Sequence, residues 1–175
     1  NTMDSTSNVR GIPPYIAATG GTPACGTISG DYKIHTFTGP GTFCVSRAAV
    51  CAADNLVSYM VVAGGGSGGN AQGGTNGQAG GAGAGGFREL VSPTAPYTAS
   101  PLNGYPTPGN RITVSATPYA ISVGGGGPSA PAVCGPGIQG SPSTFDSITS
   151  TGGGYGSANV GGSGAGGSGG GASNA

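Results

Sequence analysis

The sequence GGGSGGNAQGGTNGQAGGAGAGG occupies residues 64–86 and constrains the structure more than any other segment. From residue 65 to residue 86 every third position is glycine, except where Ala71 interrupts the series. A polyproline II helix has three residues per turn, so this spacing places glycine along one face. We therefore predict left-handed, polyglycine II-like rods packed side by side, with backbone N–H and C=O groups bonded between rods.

Further glycine tracts repeat the spacing, around residues 124–127 and 137–140 and near the C-terminus. Disorder is the alternative, because ordering glycine costs more backbone entropy than ordering any other residue. A collagen triple helix is disfavoured because residues 64–86 contain no proline. The glycines predicted to pack the rods together are Gly65, Gly68, Gly74, Gly77, Gly80, Gly83, Gly86, Gly161, Gly164, Gly167 and Gly170.

Strand periodicity is the other structural signal. Glycine or proline interrupts almost every segment that could be helical, so we predict an all-β chain with essentially no α-helix. Residues 31–38 alternate, and Gly-Pro-Gly at 39–41 has the composition of a turn, which predicts an antiparallel hairpin with residues 42–45. Residues 56–62 are more continuously apolar, as expected for a central strand covered on both faces.

Two later regions also alternate. Residues 111–123 predict two strands, separated at Pro118 or confined there to a sheet edge, because proline donates no ladder hydrogen bond. A last short strand within residues 144–150 contains Phe145 and Ile148. Both regions lie between glycine tracts, so strands and rods are expected to share one structure.

Composition divides the chain into three parts. These are an N-terminal extended segment (1–30), antiparallel strands (31–63) and glycine-rich rods (64–175), the last with intervening strands and a loop rich in proline and tyrosine (90–110). Together they predict one structural unit, either a whole processed chain or a fragment of a longer one.

Charge is scarce: five basic and five acidic residues give a formal net charge of zero. A nucleic-acid binder needs a basic stripe to displace counterions, and the sequence has none. The longest apolar run, residues 60–63, is far shorter than the roughly 20 residues that cross a bilayer. We expect neither a nucleic-acid partner nor membrane insertion.

The four cysteines are Cys25, Cys44, Cys51 and Cys134. They contain no CxxC pair, and His35 is the one histidine, so we expect no metal site. Three disulfide pairings are open. We favour Cys44 with Cys51, which closes a short loop, and Cys25 with Cys134; the alternative is four buried free thiols. Disulfides would imply an oxidising compartment.

The loop at residues 90–110 interleaves five prolines with two tyrosines, which favours an extended path with polyproline II character. It is either a stiff connector or a ligand-contacting loop. In the second case the candidate receptor contacts are Tyr97, Asn103 and Tyr105, since aromatic side chains supply large, rigid contact areas.

Two motifs have the letters of catalytic signatures without their scaffolds. The GxGxxG of residues 64–69 follows a predicted strand, but nothing after it forms the helix that holds a pyrophosphate. The GxSxG matches at 65–69 and 166–170 lack the α/β fold that positions a nucleophilic serine. We expect no enzyme, no catalytic residue and no cofactor.

The order of the segments resembles the glycine-rich domain of bacteriophage tail-fibre proteins, receptor-binding adhesins and related virion proteins. In that family an HTFTGSGTF-like hairpin precedes a YLVVAGGGGGG strand and tract, and then AGGFR. The corresponding segments here are residues 32–43, 59–66 and 84–89, with closing strand-and-tract units at 121–127 and 147–154. Some phage adhesins of similar composition contain sandwiches of polyglycine II helices, so the resemblance implies the same here.

The resemblance also implies a function. It suggests a non-enzymatic structural or adhesive component of a virion appendage, a tail fibre or a receptor-binding tip, located outside the cell. The expected partners are further copies of the chain, as a trimer or filament, and a host-surface protein or glycan. The alternative is a self-assembling subunit of an extracellular filament or coat, favoured by scarce charge and exposed strand edges.

Overall fold

The computed structural model describes residues 15–71, 78–93, 95, 97–130, 134–158 and 162–173. This part of the chain is built from short β-strands and two 3₁₀ turns, Ala52–Asn55 and Pro108–Asn110, and it contains no α-helix. The predicted all-β class is confirmed. The strands are β1 (Ala17–Thr19), β2 (Thr27–Ser29), β3 (Tyr32–Ile34), β4 (Gly41–Arg47), β5 (Tyr59–Val62), β6 (Phe87–Leu90), β7 (Pro118–Ser122), β8 (Ser143–Phe145) and β9 (Ile148–Ser150).

Five of these strands form one antiparallel sheet in the order β1-β4-β7-β8-β9. The longest, β4, lies between β1 and β7, with Val45 opposite Ala18 and Phe43 opposite Tyr119. Because successive side chains of a strand point to opposite faces, Phe43 and Val45 are buried while Cys44 between them is exposed. The inner face of this sheet supplies much of the core.

The hairpin predicted between residues 31–38 and 42–45 is wrong. β3 pairs with β2 instead, through a turn at Gly30, whose φ of 57° glycine adopts without steric cost. After β3 the N–H of Thr22 donates to the carbonyl oxygen of Thr36 over 2.8 Å, so this segment bonds to the loop after β1. The pairing that local turn chemistry indicated is therefore replaced by one with an earlier segment.

The prediction for residues 56–62, a central strand covered on both faces, is also wrong. Within this segment β5 pairs with β6 in a separate two-stranded hairpin. Its inner residues Tyr59 and Val61 face the core, whereas Met60 and Val62 are 66% and 49% exposed. The hairpin packs on β8 and β9, so one of its faces is covered and the other lies at the surface.

The later strands agree better with the sequence. β7 begins at Pro118, a position where the missing N–H is tolerated. Residues 144–150, predicted as one short strand, form parts of two strands, β8 and β9, because the chain reverses at a tight turn in which Asp146 has a φ of 52°. The strand predicted over residues 111–116 is wrong. These residues, all described, contribute a single bridge at Thr113, which is too short for a ladder.

Phe145 is the centre of the apolar core between the large sheet and the β5–β6 hairpin. Its ring makes edge-to-face contacts with Phe43, Tyr59 and Tyr119, at centroid separations of 6.0, 5.9 and 6.4 Å. This geometry suits the quadrupoles of aromatic rings. The other buried members of the cluster are Ala18, Val45, Val61, Ile112, Val114 and Ile148.

Tyr59 also ties the core to the loop before residue 111. Its hydroxyl donates a hydrogen bond of 2.7 Å to the carbonyl oxygen of Asn110. Burial raises the pKa of the Tyr59 hydroxyl above its usual value, and the positive charge of Arg88 partly offsets that rise. The folded state therefore favours the neutral form of the Tyr59 hydroxyl.

Five strand ends lead directly into glycine-rich segments. These are the C-terminal ends of β5, β7 and β9 and the N-terminal ends of β6 and β8. Because β5 and β6, β7 and β8, and β8 and β9 are antiparallel pairs, the ends of each pair lie on the same side. The glycine segments therefore continue beyond one end of the β core. In the described residues no helix has the length and apolarity needed to span a membrane.

Candidate functional site

Six glycine-rich tracts beyond the β core form the candidate site, which is structural in character. Hydrogen bonds between backbone groups join them, and most of their residues are glycine, alanine or serine; the larger side chains include Tyr155 and Ile138. We name them tract A (63–71), tract B (78–86), tract C (124–130), tract D (134–142), tract E (151–158) and tract F (162–173).

Tract E lies at the centre of these tracts. Six of its eight residues are buried, and those six are glycine, serine or alanine. The N–H of Gly153 donates to the carbonyl oxygen of Gly64 over 2.9 Å, and the N–H of Gly156 donates to that of Ser67 over 3.0 Å. Both acceptors belong to tract A, so tracts A and E run alongside one another.

Tracts B, D and F cover other sides of tract E. Gly83 of tract B donates to the carbonyl oxygen of Gly154 over 2.8 Å, and Gly140 of tract D donates to that of Gly153 over 3.0 Å. The N–H of Gly154 in turn donates to the carbonyl oxygen of Ser168 in tract F over 2.9 Å. A buried backbone group without a partner is costly, and these bonds from four neighbours supply the partners.

Tract A meets tract B, and likewise tract D, again at every third residue. Along tract A, residues 63, 66 and 69 donate to tract B, whereas residues 64, 67 and 70 donate to tract D. Successive residues therefore face different neighbours, whereas a β-strand forms its ladder bonds with neighbours on two edges. The donor–acceptor pairs are Ala63–Gly86 (3.0 Å), Gly66–Gly83 (3.0 Å), Gly69–Gly80 (3.1 Å), Gly64–Ser141 (3.1 Å), Ser67–Ile138 (2.9 Å) and Asn70–Gly135 (2.8 Å).

The contacts between tracts leave no room for side chains. A Cβ atom on Gly153 would overlap the carbonyl oxygen of Gly83, and one on Gly156 would overlap that of Gly80. Gly125, on exposed tract C, has nothing within 4 Å of the place its Cβ would occupy. Glycine is therefore required where tracts touch and is replaceable where a tract faces solvent.

The glycines predicted to pack rods fall into two groups. Gly65 and Gly68 make ordinary contacts, with the nearest atom 3.6 and 3.4 Å from an ideal Cβ. A Cβ would come within 3.0 Å of neighbouring atoms at Gly80, Gly83, Gly86, Gly164, Gly167 and Gly170. Gly74, Gly77 and Gly161 lie outside the described residues.

In tract A the closest approaches are made by Gly64, Gly66 and Gly69, which are in other phases than Gly65. Tract B runs antiparallel to tract A. Counting every third residue from 65 through 86 therefore does not select the closely packed glycines of both tracts. Sequence reasoning did not single out the central glycines of tract E. The signal that could have found them is GGGYGS at residues 152–157, directly after a strand.

Asn103, one of the predicted receptor contacts, holds the proline- and tyrosine-rich loop in place. Its Oδ1 accepts hydrogen bonds from the backbone N–H groups of Val91 at 3.0 Å and Tyr105 at 3.1 Å. The N–H of Gly104 donates to the carbonyl oxygen of Glu89 over 2.8 Å, which fastens the loop to β6. The amide oxygen of Asn103 is thus engaged within the chain.

The two predicted tyrosines have separate partners. Tyr97 is 49% exposed and meets Tyr32 of β3 edge to face, at a centroid separation of 6.2 Å. Tyr105 lies under the guanidinium of Arg111, whose Cζ is 4.3 Å from the ring centroid, a cation–π contact. The structure thus gives Tyr97 a partner that the sequence did not indicate, and the role of both tyrosines in receptor contact stays a prediction.

The expected disulfides are absent. None of the four cysteines is bonded to another, and Cys25, Cys44 and Cys51 are exposed. Cys44 lies inside β4, which continues to Arg47, so the chain moves about 10 Å away from Cys44 before it turns toward Cys51. A disulfide requires Cα atoms about 4.4–6.8 Å apart, which a straight strand does not favour.

Within the described ranges, no three or more His, Cys, Asp and Glu side chains are grouped to hold a metal ion.

No curated protein and no solved structure matches the chain significantly. A family model described as a glycine-rich domain matches residues 37–175, a span that includes β4 to β9 and all six tracts. The chain therefore belongs to the glycine-rich domain family.

Proposed function

We propose that the chain is a non-enzymatic structural and adhesive module of a virion appendage, in which six polyglycine II rods form a stiff scaffold beside the β core. The observation that carries the proposal is tract E, which is buried and bonds through its backbone to tracts A, B, D and F. A helix with three residues per turn accounts for bonds to the same neighbour at every third residue.

A scaffold of this kind suits adhesion because it is stiff without a large apolar core. Rods bonded on several sides resist bending, and the near-absence of charge removes repulsion between closely packed backbones. The order of strand and glycine segments, which resembles that of phage tail-fibre domains, supports the virion and extracellular assignment. The exposed aromatic pair of Tyr97 and Tyr32 offers a rigid contact surface for a host partner.

Binding of the fluorescently labelled full chain to intact bacterial cells tests this function. We expect saturable binding to some strains of a diverse panel, and short particles, single or trimeric, in electron micrographs of the purified protein. A Tyr97→Ala variant should bind cells more weakly than a Tyr15→Ala control, since Tyr15 is 70% exposed and lies outside the aromatic pair. Long regular filaments without cell binding would contradict adhesion and favour a filament or coat subunit.

A further inference from the structure

A cleft opens on the β core, near the end of the sheet from which the tracts continue, because Gly41 in its lining lies opposite Ile121 of β7. Two segments line it, residues 20–22 after β1 and residues 37–42 before and within β4. Its volume is about 460 Å³, within the range of ~300–1,000 Å³ typical of small-molecule sites. The second segment contains Gly39-Pro40-Gly41. The sequence predicted a hairpin turn there, but the strands on either side of it do not pair with each other.

One aromatic ring, that of Phe37, lines the cleft between two glycines. A Cβ on Gly20 would come 3.0 Å from Cζ of this ring, and one on Gly41 would come 3.2 Å from its edge. The absence of side chains at both positions is therefore what lets the ring lie between the two segments. Phe37 is half-buried and packs against the core, so the ring is held in a fixed position.

The walls of the cleft carry neutral polar groups. Thr22, Thr38 and Thr42 line it, and no described residue forms a hydrogen bond with their hydroxyl groups. The backbone N–H and C=O groups of Gly21 and Gly39 likewise have no partner among the described residues. The cleft thus presents both donors and acceptors to a ligand.

Hydrogen bonds hold residues 20–22 in place without a ligand, and residues 41–42 of the second segment belong to β4. The Nδ1 of His35 donates to the carbonyl oxygen of Gly20 over 2.8 Å, and the N–H of Thr22 donates to the carbonyl oxygen of Thr36 over 2.8 Å. The N–H of Gly20 donates to Ala24 over 2.8 Å, which closes the first segment on itself. A preformed site saves the entropy of ordering loops on binding.

We infer that this cleft binds an uncharged sugar residue of a surface glycan, which specifies the ligand class for the adhesive role proposed above and rests on it. A sugar ring combines hydroxyl groups, which match the threonines and open backbone groups, with C–H faces, which pack on an aromatic ring such as that of Phe37. No charged side chain lines the cleft, so a charged ligand would lose hydration without a counter-ion in return. A purely apolar ligand would leave the polar walls unpaired.

Saturation-transfer NMR and calorimetry on the full chain test the inference, with methyl glucoside, methyl galactoside and methyl mannoside as probes. We expect at least one glycoside to bind in the millimolar range, with Phe37 ring protons perturbed. The matched charged probe, methyl glucuronide, should bind about tenfold more weakly or not at all. Binding of the charged probe in preference to the neutral ones would overturn the inference.

Two tryptophan variants provide the matched comparison. Gly39 lines the cleft, and Gly109 lies in the second 3₁₀ turn; each has nothing within 4 Å of an ideal Cβ, and neither has a positive φ. Gly39→Trp should therefore fold normally and lose glycoside binding, whereas Gly109→Trp should bind as the natural chain does. Thr38→Val should weaken binding several-fold through loss of one hydroxyl.

The outcomes separate this inference from the proposed function. If no glycoside binds, or if Gly39→Trp binds as well as the natural chain, the sugar site is wrong. Adhesion to cells that survives Gly39→Trp in full would leave the adhesive function standing without this cleft. Glycoside binding that Gly39→Trp abolishes, in a chain that adheres to no cell, would establish the site and remove the adhesive role.

Discussion

The N–H of Gly153 and the carbonyl oxygen of Gly64 are 2.9 Å apart, at a point where neither residue has room for a side chain. A Cβ on Gly64 would overlap the carbonyl oxygen of Gly125, and one on Gly153 would overlap that of Gly83. Backbone thus packs directly against backbone. In this region hydrogen bonds and the close approach of main-chain atoms take the place of interlocking apolar side chains.

Gly153→Ala is expected to lower the free energy of unfolding by about 3 kcal/mol, because the new methyl group must push two hydrogen-bonded backbones apart. The matched control is Gly125→Ala, whose Cβ would meet no atom within 4 Å. That change should be neutral or stabilising by about 0.5 kcal/mol, since alanine restricts the unfolded chain. Denaturant titration of both variants measures the difference, and equal effects would contradict direct backbone packing.

Hydrogen exchange should be slowest in tract E. The N–H groups of Gly153, Gly154 and Gly156 are bonded and buried, so their exchange requires the tracts to open. The N–H of Gly125 is exposed and has no partner within the described part of the chain, which predicts fast exchange. Exchange of all four amides at the random-coil rate would show that the tracts are not packed in solution.

Asn103→Ala should loosen the loop at residues 97–110. Removal of Oδ1 leaves the N–H groups of Val91 and Tyr105 without an acceptor, at a cost of about 2 kcal/mol. Asn103→Asp keeps an oxygen acceptor in place and serves as the control. Limited proteolysis should cut the alanine variant faster than the aspartate variant, and equal rates would show that this oxygen does not hold the loop.

Alkaline stability should depend on Tyr59. Its pKa in the folded state is raised above the usual value of 10.0, so its contribution is complete below about pH 10 and is lost as the pH rises through the folded-state pKa. Tyr59→Phe removes the bond to Asn110, and we expect about 1 kcal/mol lower stability near neutral pH with a shallower decline above about pH 10. Unfolding of both proteins across this range, with exposed Tyr15→Phe as control, measures the difference.

The cysteines should react as thiols. Cys25, Cys44 and Cys51 are exposed, so a maleimide should modify each of them in the folded protein without prior reduction. Intact-mass measurement after denaturation should count four alkylated cysteines whether or not a reductant is present. A mass that shows fewer labels without reductant would indicate a disulfide that the structure lacks.

Local sequence signals predicted the elements better than their partners. β7 follows from the alternation of residues 119–123, and Phe145 and Ile148 fall in strands, although in two strands rather than the one predicted. The pairing of β4 with β7 depends on segments far apart in the chain, which no local pattern encodes. β2 was missed because three exposed residues carry no burial pattern.

The spacing of the glycines likewise predicted some features of the structure and missed others. It pointed to backbone contact at Gly80 and Gly83, where the structure leaves no space for a side chain. It did not indicate where the chain reverses between tracts A and B, because glycine is compatible with either a straight path or a turn. For the same reason it did not identify tract E as central. The anchoring role of Asn103 was equally invisible, since it depends on the position of Val91.

The interval of three between hydrogen bonds to the same neighbour limits how glycine-rich chains of this kind change in length. Adding or deleting three residues within a tract shifts it by one repeat and returns each remaining position to the neighbour it had before. Adding or deleting one or two residues would turn side chains toward positions that only glycine fits. Insertions and deletions inside the tracts should therefore occur as multiples of three, whereas segments between tracts are free of that constraint.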